Sequence, residues 1–129
     1  MIAVILYSGI NTELFSASTA SLQQILYSLV VRPVIVGVCK IKLRIPHNSS
    51  LKGKRRVVKS IIAQLKNRFN VAVAEVDDQE LWQVATLGVC CVSNDSRYTN
   101  EVLSKAVNFV ADGRFEAEII DYEIEIIPC

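Results

Sequence analysis

Residues 34–46 read VIVGVCKIKLRIP, and the fold turns on that stretch. Ile35, Gly37, Cys39, Ile41, Leu43 and Ile45 fall on one side of an extended chain, and Lys40, Lys42 and Arg44 on the other. A period of two predicts a strand buried on one face; Pro46, which has no N–H for a ladder, ends it. Ser49 or Ser50 then offers an N-cap for a helix. Along that helix Val58, Ile61, Ile62, Leu65 and Phe69 recur at three- and four-residue steps, which makes one apolar face. Val71 to Val76 predicts a second strand, Asp77 to Glu80 a polar turn, and Trp82 to Ser93 a third strand. Asn94 or Asp95 can cap a second helix, with Val102, Leu103, Ala106, Phe109 and Val110 on its apolar side and Gly113 as its stop. A last strand is expected to turn Ile120, Tyr122, Ile124 and Ile126 inward and Asp121, Glu123 and Glu125 outward.

The order is βαββαβ. Two right-handed crossovers onto one sheet give the ferredoxin-like arrangement: an α+β domain with a four-stranded antiparallel sheet and both helices on one face. The other sheet face is left to solvent or to a second subunit. This domain is expected to occupy residues 34–129. Met1 to Pro33 has a different character: an apolar opening from Ile2 to Tyr7, a small polar run from Ser16 to Ser21, and a short amphipathic stretch from Leu22 to Val31. No Lys or Arg precedes Arg32, so the basic region of a secretory signal is missing, and no apolar run reaches the ~20 residues that span a membrane. The expectation is an extension without fixed structure, or a start assigned too far upstream with Val34 as the true first residue. The chain as a whole reads as cytoplasmic, with no membrane partner.

With 129 residues, 51% of them hydrophobic and 21% charged, the composition is that of a globular domain able to bury a core without disulfides or metals. Cys39, Cys90, Cys91 and Cys129 lack the paired spacing of a metal site. The first three sit in apolar strand-like runs and are expected to be buried, reduced thiols. No metal and no cofactor are expected.

The net charge of +1 conceals two opposed blocks. Between Lys40 and Arg68 stand ten basic residues and no acidic one; between Glu75 and Glu125 stand twelve acidic residues and three basic ones. Such separation implies internal pairing or an oriented partner. Part of it is pairing, because the last strand lies antiparallel beside the first and sets Asp121, Glu123 and Glu125 facing Lys40, Lys42 and Arg44. Such cross-strand pairs contribute roughly 0.2–1 kcal/mol each. The helix start differs: Lys52, Lys54, Arg55, Arg56 and Lys59 crowd turns where the macrodipole is already positive, at a cost of ~0.3–1 kcal/mol per cation. A phosphate site relieves that repulsion, with Arg55 and Arg56 gripping phosphate bidentately and the lysines acting as point charges. The alternatives are a solvated face, or a basic face meeting a neighbour's acidic strand.

The runs SLKGKRRVVKS (residues 50–60), RFNVAVAEVD (68–77), LWQVATLG (81–88) and VSND (92–95) resemble the YlxP family of small bacterial proteins. The likeness spans residues 35–127 and leaves Met1 to Pro33 outside. It implies the ferredoxin-like fold and, from genes that sit among those for transcription termination, translation initiation and ribosome maturation, a ribosome- or RNA-associated role. Gly53 departs from the family, where an acidic residue is common, and removes a local partner for Lys54 or Arg56. The family's other signature, Glu75, Asp77, Gln79, Leu81 and Trp82, falls on the hairpin between the middle strands and makes it a candidate partner-binding segment. Trp82 is expected to plug the end of the core, the alternative being an exposed anchor. Glu75 and Asp77 are candidates to pair with the basic helix of the same or a neighbouring molecule.

No catalytic constellation is legible. His47, the only histidine, stands in a polar loop, and no nucleophile elbow, P-loop or dinucleotide fingerprint is present. The Pro46–Ser50 loop lacks the arginine and glycines of the topologically similar acylphosphatases. Leu87 to Ser93 has no aromatic residue, so bases cannot stack on the sheet as they do in RNA-recognition motifs. The expectation is a non-enzymatic protein that contacts ribosomal RNA or a ribosomal subunit through phosphates and shape. The alternative is a homodimer formed through the open sheet face, a scaffold or regulatory module without nucleic-acid binding.

Overall fold

The computed structural model describes residues 22–23 and 34–129. The expectations for Met1 to Pro33 therefore lie outside the described residues, except that Leu22 and Gln23 are helical. Strands β1 (Ile35–Arg44), β2 (Ala72–Asp77), β3 (Val84–Ser93) and β4 (Glu118–Pro128) alternate with helices α1 (Leu51–Arg68) and α2 (Ser96–Asp112) in the order βαββαβ. The sheet runs β2-β3-β1-β4, and each neighbouring pair is antiparallel. This is the ferredoxin-like α+β arrangement.

The strand read first from the sequence sits at the centre of the sheet, between β3 and β4. Its helix-facing residues Ile35, Cys39, Ile41 and Leu43, followed by Ile45, are buried. All but Ile35 meet Val58, Ile61 and Leu65 of α1, Leu103, Ala106 and Val110 of α2, and Ala85, Leu87 and Val89 of β3 in one core. Ser50 caps α1 by accepting from the Gly53 N–H at 3.0 Å, and Asp95 caps α2 by accepting from the Arg97 and Tyr98 N–H groups. At the far end of the helices Phe69, Phe109 and Phe115 stack edge to face, with centroids 5.9 and 5.8 Å apart, and the Arg68 guanidinium lies 5.0 Å over Phe109. Gly113 ends α2 in an extended conformation rather than a left-handed one (φ −69°). Glycine is needed there because a Cβ would run into the Phe115 ring.

Two strand irregularities depart from strict alternation. The β1–β4 register slips between Lys42 and Leu43: Lys42 pairs with Asp121, and Leu43 with Ile119. Ile120 is the extra residue of this bulge and is exposed, not inward as expected, while Ile119 takes the core-facing place. Tyr122 keeps its register opposite the buried Ile41 yet is also exposed, since β4 is an edge strand. The slip sets Glu118 opposite Arg44, and these close an ion pair at 2.7 Å. Lys40 and Lys42 stand opposite Glu123 and Asp121 in register without an ion pair, so the cross-strand pairing closes at one rung only. The second slip lies between Glu75 and Asp77 on β2.

Cys39 and Cys91 are buried; Cys90, expected inside, faces the open side of the sheet opposite Val38 and is half-buried, as is Cys129. Burial, helped by Glu123, pushes the Cys39 thiol up to about 11, and burial raises Cys91 as well. At about pH 8, where thiolate is the reacting form, iodoacetamide is expected to modify Cys90 and Cys129 in the folded protein and to reach Cys39 and Cys91 only after unfolding. Peptide mass spectrometry checks this, and rapid native labelling of Cys39 would contradict the packing. Because the folded Cys39 thiol lies above its unfolded value of 9.0, its contribution to stability is complete below that pH and is lost as pH rises toward 11.

Candidate nucleic-acid interface

The loop from Pro46 to Ser50 and the first two turns of α1 border a groove of about 1180 Å³. Lys52, Arg55, Arg56 and Lys59 line it and are exposed, with His47 at its rim; Glu116 is the one acidic residue in its wall. Among the described residues, none of these four cations takes part in an ion pair. The first turn of α1 carries no acidic residue. Four of the five cations expected at the helix start therefore converge on one concave surface.

Lys54, the fifth, does not. Its side chain is 0% exposed; Nζ donates to the Asp78 carbonyl at 2.5 Å and lies 3.3 Å from a Glu75 carboxylate oxygen. Its place among the phosphate contacts is thus corrected: it is an internal strut between α1 and the β2–β3 hairpin. The sequence carried a signal for this. Lys54 stands three and four residues before Val57 and Val58, which lie on the buried stripe with Ile61 and Leu65, so it prolongs that stripe by one turn. Counting cations in a row hides the difference between faces of a helix.

The hairpin residues also divide. Glu75 follows the buried Val73 by two positions, so it points to the helix side; its side chain is only 17% exposed and is occupied by Lys54. Asp77 pairs with Thr86 across the ladder and borders Lys40 and Lys42 on the open sheet face, away from the groove. Gln79 and Trp82 are exposed at the loop. Trp82 is 53% exposed, which overturns the expectation of a core plug: β3 begins only at Val84, so Trp82 falls in the loop before it, outside the alternation that reaches the core.

Two residues that sequence reasoning passed over connect these parts. Asn48 Nδ2 donates to the carbonyls of Ser50 at 2.7 Å and Trp82 at 2.5 Å, and Gln83 Nε2 donates to the Asn48 carbonyl at 3.1 Å. A Cβ at Gly53 would collide with Asn48 Oδ1, so a glycine in the first turn of α1 lets the loop close onto the helix. A glycine inside a helical pattern, beside a loop asparagine, is the hint for such a close approach. Each of the two joined segments holds one left-handed residue: His47 at φ 63° in the β1–α1 loop and Asp78 at φ 62° in the β2–β3 hairpin. Asp78 is secured by its carboxylate, which accepts from Thr86 Oγ1 at 2.6 Å.

Among the described residues there is no group of three or more His, Cys, Asp or Glu side chains able to hold a metal ion, and no helix long and apolar enough to cross a membrane.

Lys54→Met removes one partner of a buried pair and leaves Glu75 facing apolar surroundings. It is expected to lower stability by about 3 kcal/mol, read from urea denaturation. The double variant Lys54→Met/Glu75→Leu should recover more than half of that loss, and additive losses would show that the two do not interact.

A four-stranded sheet under two helices, with a basic groove at one end and a pinned hairpin beside it, defines a small α+β protein of the ferredoxin-like class. Residues 36–124 match the family described as "Protein of unknown function (DUF503)", and the chain belongs to that family. It is 32% identical over 76 residues to the uncharacterized protein YlxP of Bacillus subtilis (strain 168), covering 59% of this chain and 83% of that relative. Among solved structures it is similar to a C-terminal segment of the alpha subunit of aIF2 from Pyrococcus abyssi, with a TM-score of 0.39 and 11% identity over 98% of this chain and 65% of that one. It is also similar to an amidase of the hydantoinase/carbamoylase family from Burkholderia phymatum, with a TM-score of 0.36 and 12% identity over 75% of this chain and 29% of that one.

Proposed function

We propose that this domain is a non-catalytic RNA-associated protein that holds the phosphates of ribosomal RNA, free or within a ribosomal subunit, in the groove at the start of α1. One observation carries the reading: Lys52, Arg55, Arg56 and Lys59 are exposed around one concavity whose wall holds a single carboxylate, Glu116. Four cations on one side of the first turns of α1 repel one another, and Lys52 in the first turn also meets the positive end of the macrodipole; a polyanion removes both penalties. The ribosomal part of the reading comes from the family's gene neighbourhood.

Affinity for ribosomal RNA is expected to fall steeply with salt, and the log–log slope to shrink by ~0.7 for each cation removed. The variant Arg55→Ala/Arg56→Ala should bind at least roughly tenfold more weakly at ~0.15 M salt while keeping its urea midpoint. Fluorescence anisotropy with labelled RNA and co-sedimentation with small subunits measure both. Unchanged binding in that variant rejects the groove.

The open sheet face favours a second reading. Val38, Val76, Val92 and Ile127 are all exposed there, with Val92 64% exposed, beside the basic column of β1 and the acidic column of β4. A second copy offers both the apolar surface and the opposite charges, which suits a two-fold dimer. Light scattering at micromolar concentration is expected to give twice the monomer mass, and Val92→Glu to return the monomer. A monomer in the unmutated protein removes this reading.

A further inference from the structure

We infer that the groove takes single-stranded RNA, with Trp82 serving as a platform on which one unpaired base stacks beside the bound phosphates; this rests on the phosphate reading given above. Trp82 and its neighbour Leu81 are both exposed, at 53% and 49%, on a loop between two strands. An indole left in water forgoes the burial that ordinarily places tryptophan inside or at an interface.

The loop that presents it is held in place at several points. Lys54 Nζ and the Leu81 N–H both donate to the Asp78 carbonyl, Asn48 Nδ2 donates to the Trp82 carbonyl, and the Ile45 N–H donates to the Gln83 carbonyl at 2.8 Å. The backbone carrying the indole is thus fixed before any ligand arrives, which lowers the ordering cost of binding.

Asn48 joins the backbone of the loop that carries Trp82 to the basic groove. It lines the basic groove, lies against Gly53 in the first turn of α1, and holds Trp82 by its backbone. Arg56 follows Gly53 by three residues, so it stands one helical turn away on the same side. Cations that track a phosphate backbone next to an exposed aromatic ring are the two components of single-strand recognition; every base has a π-face, so stacking is tolerant of sequence. A base inside a duplex has both faces covered and leaves the indole unused. The two central strands offer no substitute, since neither β1 nor β3 carries an aromatic residue.

Trp82 is the chain's single tryptophan, so its emission reports this site alone. The full chain is titrated with a labelled uridine oligonucleotide of about twelve nucleotides, within the span of single-strand sites, and with duplex RNA of equal length. Anisotropy and tryptophan emission are followed together. The single strand is expected to quench Trp82, and Trp82→Ala to weaken its binding roughly five- to hundredfold, the worth of one stacked base. Trp82→Phe should retain most of the affinity, and duplex binding should not respond to either change. An unchanged urea midpoint verifies that the variants fold. If the single strand binds and Arg55→Ala/Arg56→Ala abolishes it, while Trp82 is neither quenched nor needed, the stacking inference is overturned and the phosphate reading stands. Quenching that survives Arg55→Ala/Arg56→Ala at full affinity overturns the phosphate reading and leaves the stacking contact. Equal binding and equal quenching by the duplex overturn the single-strand assignment.

Discussion

Lys54 carries its charge into the interior, and the functional end of the molecule is organised around where that charge goes. A buried ammonium requires a carboxylate and further acceptors, because desolvation alone would be prohibitive. Glu75 and the Asp78 carbonyl supply them. Both partners lie on or beside β2, so satisfying one lysine fastens the start of α1 to the β2–β3 hairpin. Asn48 and Gln83 add neutral hydrogen bonds to the same join. An N-terminal helical turn and a hairpin loop, 24 residues apart at Lys54 and Asp78, thereby become one rigid surface. A hydrophobic contact at position 54 would bury area without dictating which loop atoms it meets; a charged hydrogen bond has direction.

Cations of the basic block are consequently put to different uses. Lys54 is internal. Arg44 closes a pair with Glu118 on the solvent side of the sheet, where exposure holds its worth to roughly 0–1 kcal/mol. Lys52, Arg55, Arg56 and Lys59 remain turned to the groove without carboxylate partners among the described residues. The sheet divides in the same manner: its helix side is a continuous apolar core, whereas its open side is apolar near the start of β1 and charged toward its end. Two surfaces of different chemistry, one basic and one partly apolar, are thus available on a single small domain.

Much of this was legible in the sequence, and the reason is locality. Alternation over residues 35–45 depends only on the pleat of one strand. The caps depend on Ser50 and Asp95 meeting N–H groups two or three residues away, and each helix stripe is a matter of 3.6-residue period. Departures came where two segments meet. Ile120 turned outward because β4 slips by one residue against β1, and no pattern within β4 announces that slip. Trp82 was expected inside on its apolarity, but β3 begins only at Val84 and leaves it on the exposed loop.

By itself, then, the amino-acid sequence determined the number, order and buried faces of the elements, and concentrated positive charge at one helix start. Each of these follows from neighbours along the chain. Only the tertiary structure decided which cation would be withdrawn from the surface, which carboxylate would receive it, and that the loop carrying an exposed tryptophan would be tied through Asn48 to the helix start that holds the remaining cations. Those outcomes depend on which groups from distant segments share a few ångströms of low-dielectric space, where a charge must find its partner or return to water.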